Sequence, residues 1–253
     1  MNPNELLRTA AEGINPVLFA ERLGLTPDPW QADLLVSPHS RIILNCSRQS
    51  GKTSITAVLA LHHALYHPGA LVLILSPSLR QSSELFKRVA SFYRSIDKPI
   101  PSEIESALKL ELENGSRIIS LPGKEQTVRG YSGVSLLIID EASRVADELY
   151  YSVRPMLAVS GGKIILLSTP FGKRGFFYET WANGEGEGWH MVKITAKQCP
   201  RISQDFLEEE KRALGEWWFQ QEYCCEFRDT IDSYFSHDEI RDAITTQVTP
   251  LYL

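Results

Sequence analysis

One stretch narrows the possible folds more than any other: Arg41 to Leu61, RIILNCSRQSGKTSITAVLAL. A short apolar run, Arg41 to Asn45, gives way to a polar loop, Cys46 to Ser50, and Gly51-Lys52-Thr53 then opens an apolar segment of helical spacing. This predicts strand, loop and helix in that order, the context in which a phosphate-binding loop works. The backbone N–H groups of Ser47, Arg48, Gln49 and Ser50 and of the first helical turn have no intrahelical partners, and the helix dipole adds partial positive charge. A polyphosphate fits that end. Gly51 lets the backbone come close, Lys52 reaches the β- and γ-phosphates, and the Thr53 hydroxyl can ligate Mg²⁺. Cys46 stands where G-x-x-x-x-G-K-[ST] has its first glycine.

Ser135 to Ser143 reads SLLIIDEAS: residues suited to a fully buried strand, followed by two carboxylates where the strand should end. Ligands of open α/β sheets sit at the carboxyl ends of strands, so Asp140 and Glu141 are expected beside the phosphate loop. Asp140 would hold Mg²⁺ through water, and Glu141 would orient and deprotonate an attacking water. The plainer reading is a helix N-terminus with acids in its first turn.

The 253 residues, 43% hydrophobic, suit one α/β domain with a small appendage. No apolar run reaches membrane-spanning length and the first residues lack the basic and apolar regions of a signal peptide, so a soluble protein with no membrane partner is expected. Cys46, Cys199, Cys224 and Cys225 show no paired C-x-x-C spacing, which argues against a zinc site or a disulfide framework. A net charge of −5 disfavours tight nucleic-acid binding by the isolated chain, although a local patch or a ring of subunits can still grip DNA.

In chain order, Asn4 to Ala11 and Val17 to Leu25 read as lead-in helices. Pro27 and Pro29 set Trp30 and Gln31 at the start of a short helix, where Gln31 either reads an adenine edge or is an exposed helix-start glutamine. Leu71 to Leu75 is a second buried strand. Leu79 to Ser95 is a helix whose Arg80, Lys87, Arg88 and Arg94 form a DNA-facing surface or a solvated face. Ala107 to Leu121 alternates on both sides of Asn114-Gly115, a hairpin at or near a sheet edge. Arg129, in GKEQTVRGYSG, can reach a phosphate of its own or a neighbouring subunit, or form a structural salt bridge. A helix, Ala146 to Leu157, leads to the strand Lys163 to Leu167, whose end places Ser168 and Thr169 where they can sense a γ-phosphate. Lys173 and Arg174 follow, touching DNA or phosphate or turning in solvent. Asn183 to Gly188 should be a mobile loop and Trp189 to Thr195 a last strand. Ser203 to Cys225 reads as two helices around Gly215 with a compact cluster of Trp217, Trp218, Phe219 and Tyr223. From Arg228 the pattern fades into what looks like a linker.

The phosphate loop, DEAS, the Ser168-Thr169-Pro170 strand end and the two-helix tail, in this order from about Pro27 to Phe227, resemble the ATPase domain of the large terminase subunit, the DNA-packaging motor of tailed phages and herpesvirus-type viruses. SRQSGKT (Ser47 to Thr53) is similar to that family's phosphate loop, which typically lacks the standard first glycine. The resemblance implies an α/β P-loop NTPase core of the additional-strand, catalytic-glutamate (RecA-like) type, with a mainly parallel sheet flanked by helices, a β-hairpin and a small C-terminal helical lid. The expected division is a core with its helical lead-in over 1–200, a lid over 201–228 and a linker over 229–253 toward a nuclease domain that has no room here, from an excised domain or a split gene. It further implies ATP and Mg²⁺ as cofactors, Gln31 as the adenine-reading residue, Arg48 on the γ-phosphate, Arg129 as an arginine finger offered in trans, and Ser168-Thr169 as a coupling motif. The implied partners are double-stranded DNA, the portal protein of a procapsid, a small terminase subunit and further copies in a ring, all in the host cell cytoplasm. A superfamily 2 helicase fragment and an ATP-switched assembly protein are the rival readings. A GTPase is disfavoured by the lack of an N-K-x-D sequence.

Overall fold

A computed structural model describes residues 3–123, 130–229 and 243. Two helices, α1 (Pro3–Ile14) and α2 (Pro16–Arg22), lead in, and Asn15 caps the second by accepting the Val17 N–H at 3.0 Å. A short helix α3 (Pro29–Val36) follows, and its Pro29 occupies the first turn, where a missing N–H costs nothing. In α1 the buried residue is Glu12, while Leu6, Leu7 and Ile14 are exposed, so this helix turns a polar edge to the body.

The strands are β1 (Arg41–Cys46), β2 (Leu71–Ser76), β3 (Ser102–Glu105), β4 (Lys109–Leu112), β5 (Arg117–Pro122), β6 (Leu136–Asp140), β7 (Lys163–Ser168) and β8 (His190–Ile194). They form a sheet in the order β3-β4-β5-β2-β6-β7-β1-β8. From β5 to β8 every neighbouring pair is parallel, and β3 and β4 join antiparallel at one edge. The expected hairpin is β4–β5. The edge strand β3 was not anticipated, because its SEIE sequence is mostly exposed and carries no alternating apolar signal. One strand, β7, lies between phosphate-loop strand β1 and acidic strand β6, which is the additional-strand arrangement.

Continuous apolar runs in β1, β2, β6 and β7 are required because both faces are covered. Ile42, Leu44, Ile138 and Ile165 point to a layer with α4 (Lys52–Tyr66) and α5 (Leu79–Ser95). Their neighbours Ile43, Leu137, Ile139 and Ile164 point to a layer with α6 (Asp147–Val153) and α7 (Gly175–Asn183). Parallel strands thus deliver their carboxyl ends to one rim.

The last helix, α8 (Gln204–Glu222), is broken at Gly215, whose φ of 77° and ψ of 165° lie outside helical space, in accord with two helices around that glycine. Its Leu207, Phe219 and Tyr223 bury together with Ala196 in a small separate cluster. The compact four-aromatic cluster does not form: Trp217 and Trp218 meet edge-on at 4.7 Å, and Trp218 is exposed. The segment from Asn183 to Gly188, expected as a loop, contains a short regular turn. Gly184–Glu187 makes a 3₁₀ turn in which Gly184 is buried and accepts the Trp189 N–H at 3.0 Å. A Cβ at Gly184 would fall 3.2 Å from the Trp189 side chain, so the glycine is fixed by packing.

Candidate nucleotide-binding site

The loop between β1 and α4 is tied down by backbone and side chain together. Ser47 N–H donates to Ile194 O at 2.8 Å, Arg48 N–H to Glu222 O at 3.1 Å, and Ser50 Oγ to Ser47 O at 3.0 Å. Gln49 and Gly51 both have positive φ, 58° and 92°. At Gly51 the positive φ favours glycine, and a Cβ would also press on Gln31 Nε2 at 2.7 Å and on Arg201 at 3.2 Å. Cys46, at the first-glycine position, is fully buried, and burial pushes its thiol up to about 12, consistent with a packing residue.

Lys52 is buried and its ammonium donates to Ser47 O at 3.0 Å, Thr169 Oγ1 at 3.2 Å and Cys46 O at 3.5 Å. All three acceptors are neutral, so its charge is left for an anion. Thr53 is exposed in the first turn of α4. A cavity of about 540 Å³ opens here, lined by Lys52, Thr53, Arg48, Glu141, Arg144 and Thr169 among others.

Asp140 closes β6 and is buried, its carboxylate accepting the Glu141 N–H at 3.0 Å. Burial first, and the Glu141 charge second, push its pKa up to about 7 despite the opposing pull of Lys52. A buried carboxylate without a bonded cation is a fitting ligand for Mg²⁺, with the Thr53 hydroxyl on the facing helix. Glu141 sits in the left-handed region (φ 49°, ψ 44°), a conformation that costs on the order of 1 kcal/mol for a non-glycine residue. It caps a 3₁₀ turn, Ala142–Arg144, and the helix α6 begins only at Asp147, so the acids do not occupy a helical first turn.

Ser143, unremarked in the sequence, links the acidic strand to β7. Its hydroxyl donates to Thr169 O at 2.8 Å and lies 2.7 Å from Ser168 Oγ. Ser143 has a single proton, so Ser168 must donate to it and cannot also satisfy Glu141 Oε2, 3.5 Å away. The Glu141 carboxylate therefore keeps its acceptor capacity.

A scan of family descriptions matches residues 43–242 to the N-terminal part of the terminase large subunit of the T4likevirus type, most of the chain. The chain belongs to this family. It is 26% identical over 235 residues to the terminase large subunit of Escherichia phage T5, covering 87% of this chain and 53% of that protein. It is also 26% identical over 252 residues to that of Thermus phage G20c, covering 86% and 52%. The chain thus spans about half the length of the curated relatives it matches. Among solved structures it resembles the large terminase ATPase domain of Thermus phage P74-26, with a TM-score of 0.73 at 22% identity over 83% of this chain and 97% of that one. It also resembles the HK97 bacteriophage large terminase, with a TM-score of 0.70 at 16% identity over 85% and 55%.

In this terminase chain Gln31 is buried and tied into the loop rather than exposed: its Oε1 accepts the Asp28 N–H at 2.9 Å and its Nε2 donates to Ser50 O at 3.3 Å. Arg201, missed in the sequence, holds Asp28 through two bonds of 2.7 Å and also donates to Ser50 O at 3.1 Å. Leu25, Pro27, Gln31, Ile55 and Arg201 line an adjoining cavity of about 520 Å³ whose apolar walls suit a base. Arg48 is held by Glu222 of α8 at 2.5 Å, and the partly exposed Arg48 guanidinium covers an almost fully buried carboxylate.

The five basic residues expected at DNA have different neighbours. Lys87 pairs with Glu84 at 2.9 Å, while Arg88 lines the phosphate cavity. Arg94 pairs with Glu105, joining α5 to β3. Lys173 lies 3.5 Å from Asp229, and Arg174 packs on the Phe171 ring at 5.2 Å. Arg129 lies outside the described residues.

Proposed function

We propose that this chain is the Mg²⁺-dependent ATP-hydrolysing motor domain of a viral large terminase subunit, driving double-stranded DNA into a procapsid. The observation that carries the reading is the meeting of Lys52, whose ammonium bonds only neutral acceptors, with the Glu141 carboxylate on one cavity at the phosphate loop, beside the buried Asp140 that ends the same strand. The backbone N–H groups from Gln49 into the first turn of α4, and Lys52, bind the phosphates, and Glu141 accepts a proton from the water whose oxygen bonds to the γ-phosphorus. The bond from that phosphorus to the β–γ bridging oxygen breaks, and its electron pair leaves with ADP. Mg²⁺, held by Thr53 and Asp140, would neutralise charge on the β- and γ-oxygens. Ser168 and Thr169, bonded to Ser143 and Lys52, would pass the state of the site into the sheet, and Arg129 would be offered in trans by the next copy of a ring.

The working assembly in this reading adds a portal protein and a small terminase subunit, in the host cell cytoplasm. A core over 1–200, a lid over 201–228 and a linker beyond complete the proposed organisation, supported by the separate apolar cluster under α8. No helix among the described residues is long and apolar enough to cross a membrane.

Phosphate release with Glu141→Gln tests the chemistry. Slow, Mg²⁺-dependent release by the wild type should fall by about 10²-fold or more while ATP binding persists. Unchanged release would overturn the hydrolytic reading and leave ATP as a switch for binding.

A further inference from the structure

Resting on the ATPase reading, we infer that Arg144 is a cis-acting arginine for the terminal phosphate, stored on the face of Phe171 until nucleotide enters.

Four cationic side chains line the phosphate cavity: Lys52, Arg48, Arg88 and Arg144. Arg48 is already bonded to the buried carboxylate of Glu222, a pairing that an incoming phosphate would have to break at the cost of leaving that carboxylate alone. Arg88 sits on α5, 6.0 Å from the Phe92 ring, across the cavity from the acidic strand. Arg144, like Arg88, is exposed and has no carboxylate partner among the described residues, but it follows Glu141 by three residues on the acidic strand's own turn, and its guanidinium carbon lies nearer its ring, 4.0 Å from the centre of Phe171.

The backbone beneath Arg144 is fixed. Its N–H donates to Glu141 O at 2.9 Å, closing the 3₁₀ turn that Glu141 begins in its left-handed conformation. Arg144 is therefore anchored three residues from the proposed general base, with its side chain exposed. Contact of an exposed arginine with a phenylalanine face is a weak attraction. Charge-assisted bonds to phosphate oxygens are roughly twice as strong as neutral ones and a guanidinium makes two at once, so a bound triphosphate should draw the side chain off the ring. The same arginine also lines the groove beneath α8 with Phe171, Trp218 and Glu222, so leaving the ring changes the wall on which the last helix rests.

The assignment predicts discrimination by phosphate number. Calorimetric titration with ATPγS and with ADP, each with Mg²⁺, should show Arg144→Gln weakening ATPγS roughly 10- to 100-fold while ADP affinity stays within about twofold. Arg144→Lys should recover part of the loss, and Phe171→Leu, which removes the ring under both Arg144 and Arg174, should leave ATPγS binding unchanged or tighter. Equal weakening of both nucleotides by Arg144→Gln, or no weakening of either, would overturn the inference, as would a Phe171→Leu variant that loses ATPγS affinity as Arg144→Gln does. Failure of the wild-type chain to bind either nucleotide would instead sink the ATPase reading itself. Melting of each variant without nucleotide separates these results from misfolding.

Discussion

Two buried carboxylates flank the ends of α4, and the fold treats them in opposite ways. At the helix's C-terminal end Glu12 is 2% exposed and accepts from Arg8 Nε at 2.8 Å, Arg22 at 2.9 Å and the Tyr66 hydroxyl at 3.0 Å, with its backbone oxygen 3.0 Å from His62 Nε2. Burial alone would push this carboxyl up, but the bonds from Arg22, Arg8 and Tyr66 outweigh it and hold the pKa below the ordinary value. At the N-terminal end Asp140 is 7% exposed and receives one backbone N–H, and its pKa rises to about 7. A charge satisfied inside the fold is scaffold, and a charge left unsatisfied is capacity for a ligand.

The largest effect that would sharpen this contrast is Glu12→Gln, which leaves Arg22 without its counter-charge. A loss of about 2–3 kcal/mol in urea unfolding is expected at pH 7, discounted because Arg8 is mostly exposed and relaxes into water. Because the folded pKa of Glu12 lies below its unfolded one, this contribution is complete above the unfolded value near 4.5 and fades as pH falls through the folded value. Wild type and variant should therefore converge in stability at acid pH, and a gap that persists there would break the comparison.

Asp140→Asn should act with the opposite sign. Between about pH 4 and 7 the folded protein holds a proton that the unfolded chain has released, so this group makes stability decline as pH rises through that window and then level off. The substitution should raise the stability of the nucleotide-free protein by about 1–2 kcal/mol at pH 8 and abolish Mg²⁺-dependent turnover. A destabilised Asp140→Asn protein in chelator-containing buffer would show that the carboxylate is scaffold after all.

Glu222→Gln tests an intermediate case, since Glu222 is buried but its partner Arg48 is largely exposed. It should shift stability by less than about 1 kcal/mol, read as a small change in melting temperature, because the Arg48 guanidinium is well solvated and the backbone bond from Arg48 to Glu222 O survives. A larger drop would place this pair with Glu12 among the scaffold charges.

Much of the site was legible because it rests on local patterns. A strand, a loop with glycine before lysine and a helix occupy consecutive residues, so β1, Lys52 and α4 could be read from spacing. The acidic pair followed from an apolar run that stops at two carboxylates. Ser143, Arg144 and Arg201 escaped for a common reason: their roles come from contacts with Thr169, Phe171 and Asp28, and nothing in their own neighbours marks those partners. Likewise the basic residues of α5 looked like one face in sequence, yet Arg88 turns to the cavity and Arg94 to β3.

What the chain settled by itself is where nucleotide chemistry can occur, since the phosphate-binding geometry arises within one turn of backbone and the strand-end rule brings the acids to it. Tertiary structure alone decided which charges are free to act. Whether a guanidinium is spent on a carboxylate, as in Arg48, or rests on a ring, as in Arg144, depends on residues far away in sequence that the sheet and α8 bring within a few ångströms. Charge is written in sequence, but its compensation exists only in three dimensions.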